Sequence, residues 1–276
     1  MLARITVLIS GRGSNLSALI DAVHAGAIEG AITQVISNRP DAKGLAIAAR
    51  NGIATALVDH RTFAARDAFD AALAETIDRG EPDLIVLAGF MRILGGDFVR
   101  RYEGRMINIH PSLLPAYPGT DTHRRALADK VARHGCTVHF VTPDVDGGPI
   151  IAQADVPVLS GDDPETLAAR VLDVEHRLLP AVVADFCAGR IVLDGDHVRR
   201  RNGRDVRMLD ASSSQTPEDP AVRKIARPGT PVPNAPGAAV APDDPGASSR
   251  IDDAGTSSKT GDRAASTRPK PRARGR

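Results

Sequence analysis

Two polar residues at the end of an apolar run carry the chain's most pointed chemistry. Met106 to Ile109 reads as a buried strand, and Asn108 and His110 share one face of it, because side chains alternate with a period of two. Pro111 removes a backbone donor and keeps His110 extended, so the strand must end there. An amide able to polarise an oxygen then stands beside an imidazole able to move a proton. A histidine at a strand end is by itself more often a capped or solvated side chain. Asn108 on the same face is what favours chemistry, and the carboxyl end of a central strand is where open α/β sheets bind ligands.

Three further stretches have residue types suited to a site. Ser10-Gly11-Arg12-Gly13-Ser14-Asn15-Leu16 follows a strand-like run and opens a helical one, so its backbone N–H groups can approach an anion. A dinucleotide site would want a third glycine where Leu16 stands and an acid where Ser37-Asn38-Arg39 ends the second strand. A terminal phosphate suits the loop better, and a tight turn with Ser14 as helix cap is the plain alternative. Ala88-Gly89-Phe90-Met91-Arg92-Ile93-Leu94 places bulky apolar residues where a loop should be polar, which serves either a core or an apolar ligand pocket. Asp146-Gly147-Gly148 is on its own a favourable turn.

The elements that must position these residues alternate. Arg4 to Ile9, Ala31 to Ser37, Ile53 to Val58, Asp83 to Ala88 and Arg105 to Ile109 read as strands; Asn15 to Ala25, Ala42 to Asn51, Ala65 to Arg79 and Gly96 to Tyr102 read as helices. That alternation predicts right-handed crossovers and a parallel sheet. A helix over Thr122 to Ala132 then precedes strands over Cys136 to Val141 and Pro149 to Val156, joined as a hairpin, so the sheet should finish mixed. Asp163 caps a long helix with Pro164 in its first turn and Leu167, Val171, Val174 and Leu178 as its buried stripe. Ile191 to Leu193 and His197 to Arg199 make a short hairpin. The fold class expected is α/β, doubly wound and mostly parallel, with a Rossmann-like N-terminal half and antiparallel C-terminal strands.

Composition bounds the function. A net charge of +1 over 276 residues gives no global field for nucleic acid or membrane, and no apolar run approaches the ~18 residues that span a bilayer. The N-terminal apolar run, Ile5 to Ile9, is too short for a signal peptide. Cys136 and Cys187 lack metal-ligand spacing and read as buried thiols in a reducing compartment, so a cytoplasmic enzyme without metal is expected. Aromatic residues make up only 3%, leaving Val, Ile, Leu and Ala to build the core, which suits a helix-covered parallel sheet. Residues 1–204 form the expected catalytic domain. Residues 205–276, rich in Pro, Ala and Ser and ending in a basic cluster from Arg263 to Arg276, are expected to be disordered.

Asn108-Ile109-His110-Pro111-Ser112-Leu113-Leu114-Pro115 resembles the signature of the formyltetrahydrofolate-using formyltransferases, and the similarity runs from residue 1 to about 200. The resemblance implies transfer of the formyl group of 10-formyltetrahydrofolate, as cosubstrate, to the primary amine of phosphoribosylglycinamide, a step of purine biosynthesis. It implies Asn108, His110 and Asp146 as catalytic residues, with Asp146 orienting His110. Gly13, Ser14 and Asn15 would hold the phosphoribosyl part of the amine substrate and Glu175 its ribose. Arg66, the segment Met91, Arg92, Ile93 and Leu94, and Asn108 would bind the folate. No membrane or nucleic acid is required, and a homodimer is compatible with the resemblance. Many relatives carry an aliphatic residue and then His where this chain has Thr120-Asp121, so His123 in that loop is left out of the catalytic set. Two other formyl-folate enzymes share the scaffold. Methionyl-tRNA formyltransferase needs a further folded C-terminal domain, which the segment after Asp210 is not expected to supply. A formyltetrahydrofolate hydrolase typically carries an N-terminal regulatory domain, whereas Arg4 already begins the first strand. A non-catalytic phosphometabolite-binding protein is the alternative from another class.

Overall fold

The computed structural model describes residues 2–201 and the backbone of 208–210. Strands β1 (Ala3–Ile9), β2 (Gly30–Ser37), β3 (Ala54–Leu57), β4 (Leu84–Leu87), β5 (Met106–His110), β6 (Arg133–Phe140), β7 (Ile150–Pro157) and β10 (Met208–Asp210) form one sheet in the order β10-β7-β6-β5-β4-β1-β2-β3. Pairing is parallel from β3 through β5 and antiparallel at β5–β6 and β6–β7. The sheet is therefore doubly wound and finishes mixed. Strands β8 (Ile191–Asp194) and β9 (His197–Arg200) make a separate antiparallel hairpin.

Both faces of the sheet are buried, as strands of this composition require. Ile5, Val7 and Ile9 of β1 pack in one cluster with Leu16 and Leu19 of α1 (Ser14–His24) and Leu178 and Val182 of α6 (Pro164–Cys187). Leu8, one residue out of phase, joins the other cluster with Phe69, Leu73 and Ile77 of α3 (Arg66–Asp78) and Phe98 and Val99 of α4 (Gly96–Arg101). Helix α6 starts at a full capping box: Asp163 accepts from the Thr166 N–H, and the Thr166 hydroxyl accepts from the Asp163 N–H. Helix α2 (Lys43–Arg50) packs beside α1 at the point where Gly13 faces Gly44.

The strand order reverses at β1. From β1 the chain builds outward to β2 and β3, then returns to place β4 on the other side of β1. The crevice beyond the carboxyl ends of β1 and β4 is the switch point where this architecture binds ligands.

The structure differs from expectation around residue 130. Helix α5 covers only Thr122–Ala128, because Lys130 takes a left-handed backbone (φ 53). Strand β6 then starts at Arg133, three residues before the position expected. Gly135 lies inside it rather than before it, since a Cβ there would come within 2.1 Å of the Ala154 carbonyl on β7. A close strand–strand approach accounts for that glycine. Strand β10, parallel to β7, lies beyond the boundary expected at residue 204. The rest of the segment expected to be disordered lies outside the described residues.

Candidate active site

The carboxyl end of β5 does place Asn108 and His110 on a common cavity of about 570 Å³. Its walls come from the segment after β4 (Gly89 to Leu94), the loop Gly119 to His123 and the loop Thr142 to Asp146. The loop after β5 is held from behind by Thr137 on β6: its hydroxyl donates to the Ser112 carbonyl at 2.6 Å and accepts from the Leu114 N–H at 3.0 Å. The end of β5 is thus bolted to the antiparallel half of the sheet.

Asp146 closes on His110 from the turn expected by sequence. Its Oδ2 lies 3.4 Å from His110 Nδ1 and accepts from the Gly119 N–H at 2.7 Å. Asp146 sits in the left-handed region (φ 54), which Asp tolerates better than most residues, and that conformation lets an exposed turn aim its carboxylate inward. On the far side of the ring, His110 Nε2 is 2.9 Å from the Tyr117 carbonyl. A carbonyl only accepts, so Nε2 carries a proton and Nδ1 is the nitrogen presented to Asp146.

Asn108 has a partner that sequence reading missed. His139 stands opposite it across the β5–β6 pair, with Nε2 3.1 Å from the Asn108 amide nitrogen. His139 Nδ1 is 2.8 Å from the Phe140 carbonyl, so Nδ1 holds the proton and Nε2 accepts from the amide. Burial holds the His139 pKa down against the Phe140 hydrogen bond and the Asp146 charge, and the neutral ring required for that acceptor role is favoured. The β5–β6 register that brings the two together has no signal in either strand's own residues. His123 also lines the cavity, and its ring stacks edge-on with His134 at 5.2 Å. Burial and, secondarily, the nearby His110 push its pKa down.

The segment after β4 serves both purposes that the sequence left open. Phe90 and Leu94 are buried in the core behind the cavity they help to line, whereas Met91 and Ile93 are 70% and 59% exposed on its wall. Val145, 54% exposed, faces the same cavity from the opposite loop. Uncovered apolar side chains converging on one cavity mark it for an apolar ligand surface. Arg92 lies over the Phe69 ring, and its Nε is buried without a partner among the described residues. Arg66 opens α3 as an exposed residue and is not part of the cavity lining.

Gly13, Ser14, Asn15 and Glu175 gather separately, at the N-terminus of α1. Gly13 is the N-cap with φ 79, and a Cβ there would come within 2.6 Å of Gly44 Cα, so conformation and packing both require glycine. No side chain caps α1, which removes the reading of Ser14 as the cap. Asn15 donates to Glu175 Oε2 at 2.7 Å. The buried Asn15 Oδ1 has no partner among the described residues. Burial raises the Glu175 pKa against the Asn15 hydrogen bond and the Arg12 charge. Among the described residues no group of three or more His, Cys, Asp or Glu could hold a metal ion. No described helix is long and apolar enough to cross a membrane.

A cavity at the carboxyl ends of β4 and β5 of a doubly wound sheet, floored by Asn108, His110 and Asp146, is the ligand position of an α/β enzyme. Residues 3–183 match the formyl transferase family, and the chain belongs to that family. It is 51% identical to the phosphoribosylglycinamide formyltransferase of Escherichia coli over 187 residues, covering 68% of this chain and 88% of that protein. It is 47% identical to the trifunctional purine biosynthetic protein adenosine-3 of Bos taurus over 191 residues, covering 69% of this chain and spanning 19% of the longer protein's length. Among solved structures, the phosphoribosylglycinamide formyltransferase of Coxiella burnetii in complex with CHES superposes with a TM-score of 0.70 at 49% identity, covering 72% of this chain and 94% of that one.

Proposed function

We propose that the chain transfers the formyl group of 10-formyltetrahydrofolate to the amine of phosphoribosylglycinamide, giving the N-formyl product and tetrahydrofolate in purine biosynthesis. The convergence of Asn108, His110 and Asp146 at the floor of one cavity carries this reading. The amine nitrogen attacks the formyl carbon, a C–N bond forms, and the bond to the folate nitrogen breaks. The second N–H of the Asn108 amide, which His139 does not use, stabilises the oxyanion as it develops, joined by the His110 Nε2–H when it turns from the Tyr117 carbonyl. His110 carries the proton that leaves the amine toward the departing folate nitrogen, and Asp146 holds its ring in place.

The folate belongs in the cavity walled by Met91, Ile93 and Val145, with Arg92 offering a buried donor that lacks a partner among the described residues. Arg66, on the surface at the start of α3, would reach only the outer part of that cosubstrate. The phosphate belongs on the backbone of Gly13, Ser14 and Asn15 at the positive end of α1, with the Ser14 hydroxyl donating to it. The unpartnered Asn15 Oδ1 suits a hydroxyl donor, and Glu175 beside it suits the ribose. The reaction calls for no metal, membrane or nucleic acid. The free thiols Cys136 and Cys187 suit the reducing cytoplasm, where we place it.

Tetrahydrofolate release measured with and without phosphoribosylglycinamide tests the proposal. Release that requires the amine supports it. Release at the same rate without the amine indicates a formyl-folate hydrolase instead.

A further inference from the structure

Ser10 opens the segment that runs into the phosphate loop and touches the wall that the proposed function gives to the folate. It follows β1, precedes the Gly11 to Asn15 loop, and is 6% exposed. Its N–H donates to the Gly89 carbonyl at 3.2 Å, extending the β1–β4 pairing past both strands. The Met91 N–H lies 2.7 Å from Ser10 Oγ and can only donate, so the hydroxyl spends a lone pair there. Its own proton then goes to Asn38 Oδ1, 2.6 Å away. Asn38, just past β2, is 1% exposed, and His60 Nδ1 lies 2.8 Å from its carbonyl oxygen.

The wall of the cavity hangs from this hydroxyl. The chain leaves β4 through Gly89 (φ 73) and is caught by Ser10 at Met91 and by Asp70 at Gly95, whose N–H donates to Oδ2 at 2.8 Å. Between those two points Met91 and Ile93 stand exposed. We infer that Ser10 is a positioning residue that locks the folate wall to the phosphate loop and so sets the reach between formyl carbon and amine. The inference rests on the proposed function for its consequence, because small displacements of reacting atoms cost large factors in rate.

The test compares full-length wild type, Ser10→Ala, Ser10→Thr and Asn38→Ala. Ser10→Ala leaves the Met91 N–H and Asn38 Oδ1 unpaired, so the KM for 10-formyltetrahydrofolate should rise about tenfold and kcat should fall. The KM for phosphoribosylglycinamide should stay within about twofold, since the loop backbone is untouched. Hydrogen exchange at the Met91 amide, measured without ligand, should accelerate at least about tenfold. Ser10→Thr keeps the hydroxyl and should restore all three values. Asn38→Ala keeps the Met91–Ser10 bond and should show a smaller effect than Ser10→Ala. Unchanged Met91 exchange or an unchanged folate KM in folded Ser10→Ala overturns the inference. So does an equal rise in both KM values with a lowered Tm, which marks a residue that only stabilises the fold. If wild type forms no tetrahydrofolate from the two substrates, the proposed function fails, while the Met91 exchange still decides what Ser10 holds.

Discussion

Asp146 Oδ2 stands 3.4 Å from His110 Nδ1, and the two residues reach each other from opposite ends of an antiparallel pair of strands. The separation is longer than a tight charged hydrogen bond. With Nε2 committed to the Tyr117 carbonyl, a ring protonated on both nitrogens donates at both ends and leaves neither partner idle.

Asp146→Asn therefore separates charge from shape. Asn tolerates the left-handed turn as well as Asp does, so the fold should hold and KM values should move little. The charge facing His110 is lost, and kcat should drop about a hundredfold. His110→Ala should be at least as damaging, and the double variant little worse, because residues acting as a unit do not add. Steady-state kinetics with circular dichroism decides it; near-wild-type kcat in folded Asp146→Asn would return that residue to the turn.

Ser14 and Asn15 should part company. The Ser14 hydroxyl does not cap α1, so Ser14→Ala should leave Tm unchanged. The amine substrate's KM should rise about tenfold through loss of a hydrogen bond to a charged group, with the folate KM unaffected. Asn15→Ala strips the buried Glu175 of its partner as well, and should cost about 1–3 kcal/mol of stability in addition. Equal damage to both substrates by Ser14→Ala would count against the phosphate loop.

Acid should destabilise the chain through His134. Burial, with some help from His123, lowers its pKa from an ordinary 6.5 to about 4. The folded value lies below the unfolded one, so the stability is present above about pH 6.5 and is lost as pH falls toward about 4. The contribution is on the order of 3 kcal/mol at neutral pH. Denaturant melts across that window should show a flatter slope for His134→Asn than for wild type. Parallel slopes would show that His134 is not what responds to acid.

Truncation after Asp210 should preserve Tm and kcat/KM. The family match ends at residue 183, and among the described residues the walls of the cavity run only from Leu87 to Asp146. Truncation after Arg201 also removes β10, and should lower Tm by uncovering the edge of β7. Loss of activity in the longer form would mean that the remaining residues act at the site.

Much of this protein is legible in residue order because the controlling physics is local. Alternating apolar runs and helical stripes specify buried strands with helices on both faces. Pro111 ends β5, Asp163 starts α6, and period two puts Asn108 and His110 on one face. Each of those outcomes depends on neighbours within a few residues. What the tertiary structure alone decided involves groups distant along the chain. The partnering of Asn108 with His139 and of Asp146 with His110 depends on how β6 registers against β5. Gly135 lies outside the strand expected from Cys136, and only β7 laid beside it shows why that position in β6 must be glycine. Ser10 is an ordinary loop serine until β2 and β4 deliver Asn38 and Met91 to its two sides. A strand's own residues set which face each side chain takes, but a register slip of one residue would present different partners, and only the packed sheet selects among them.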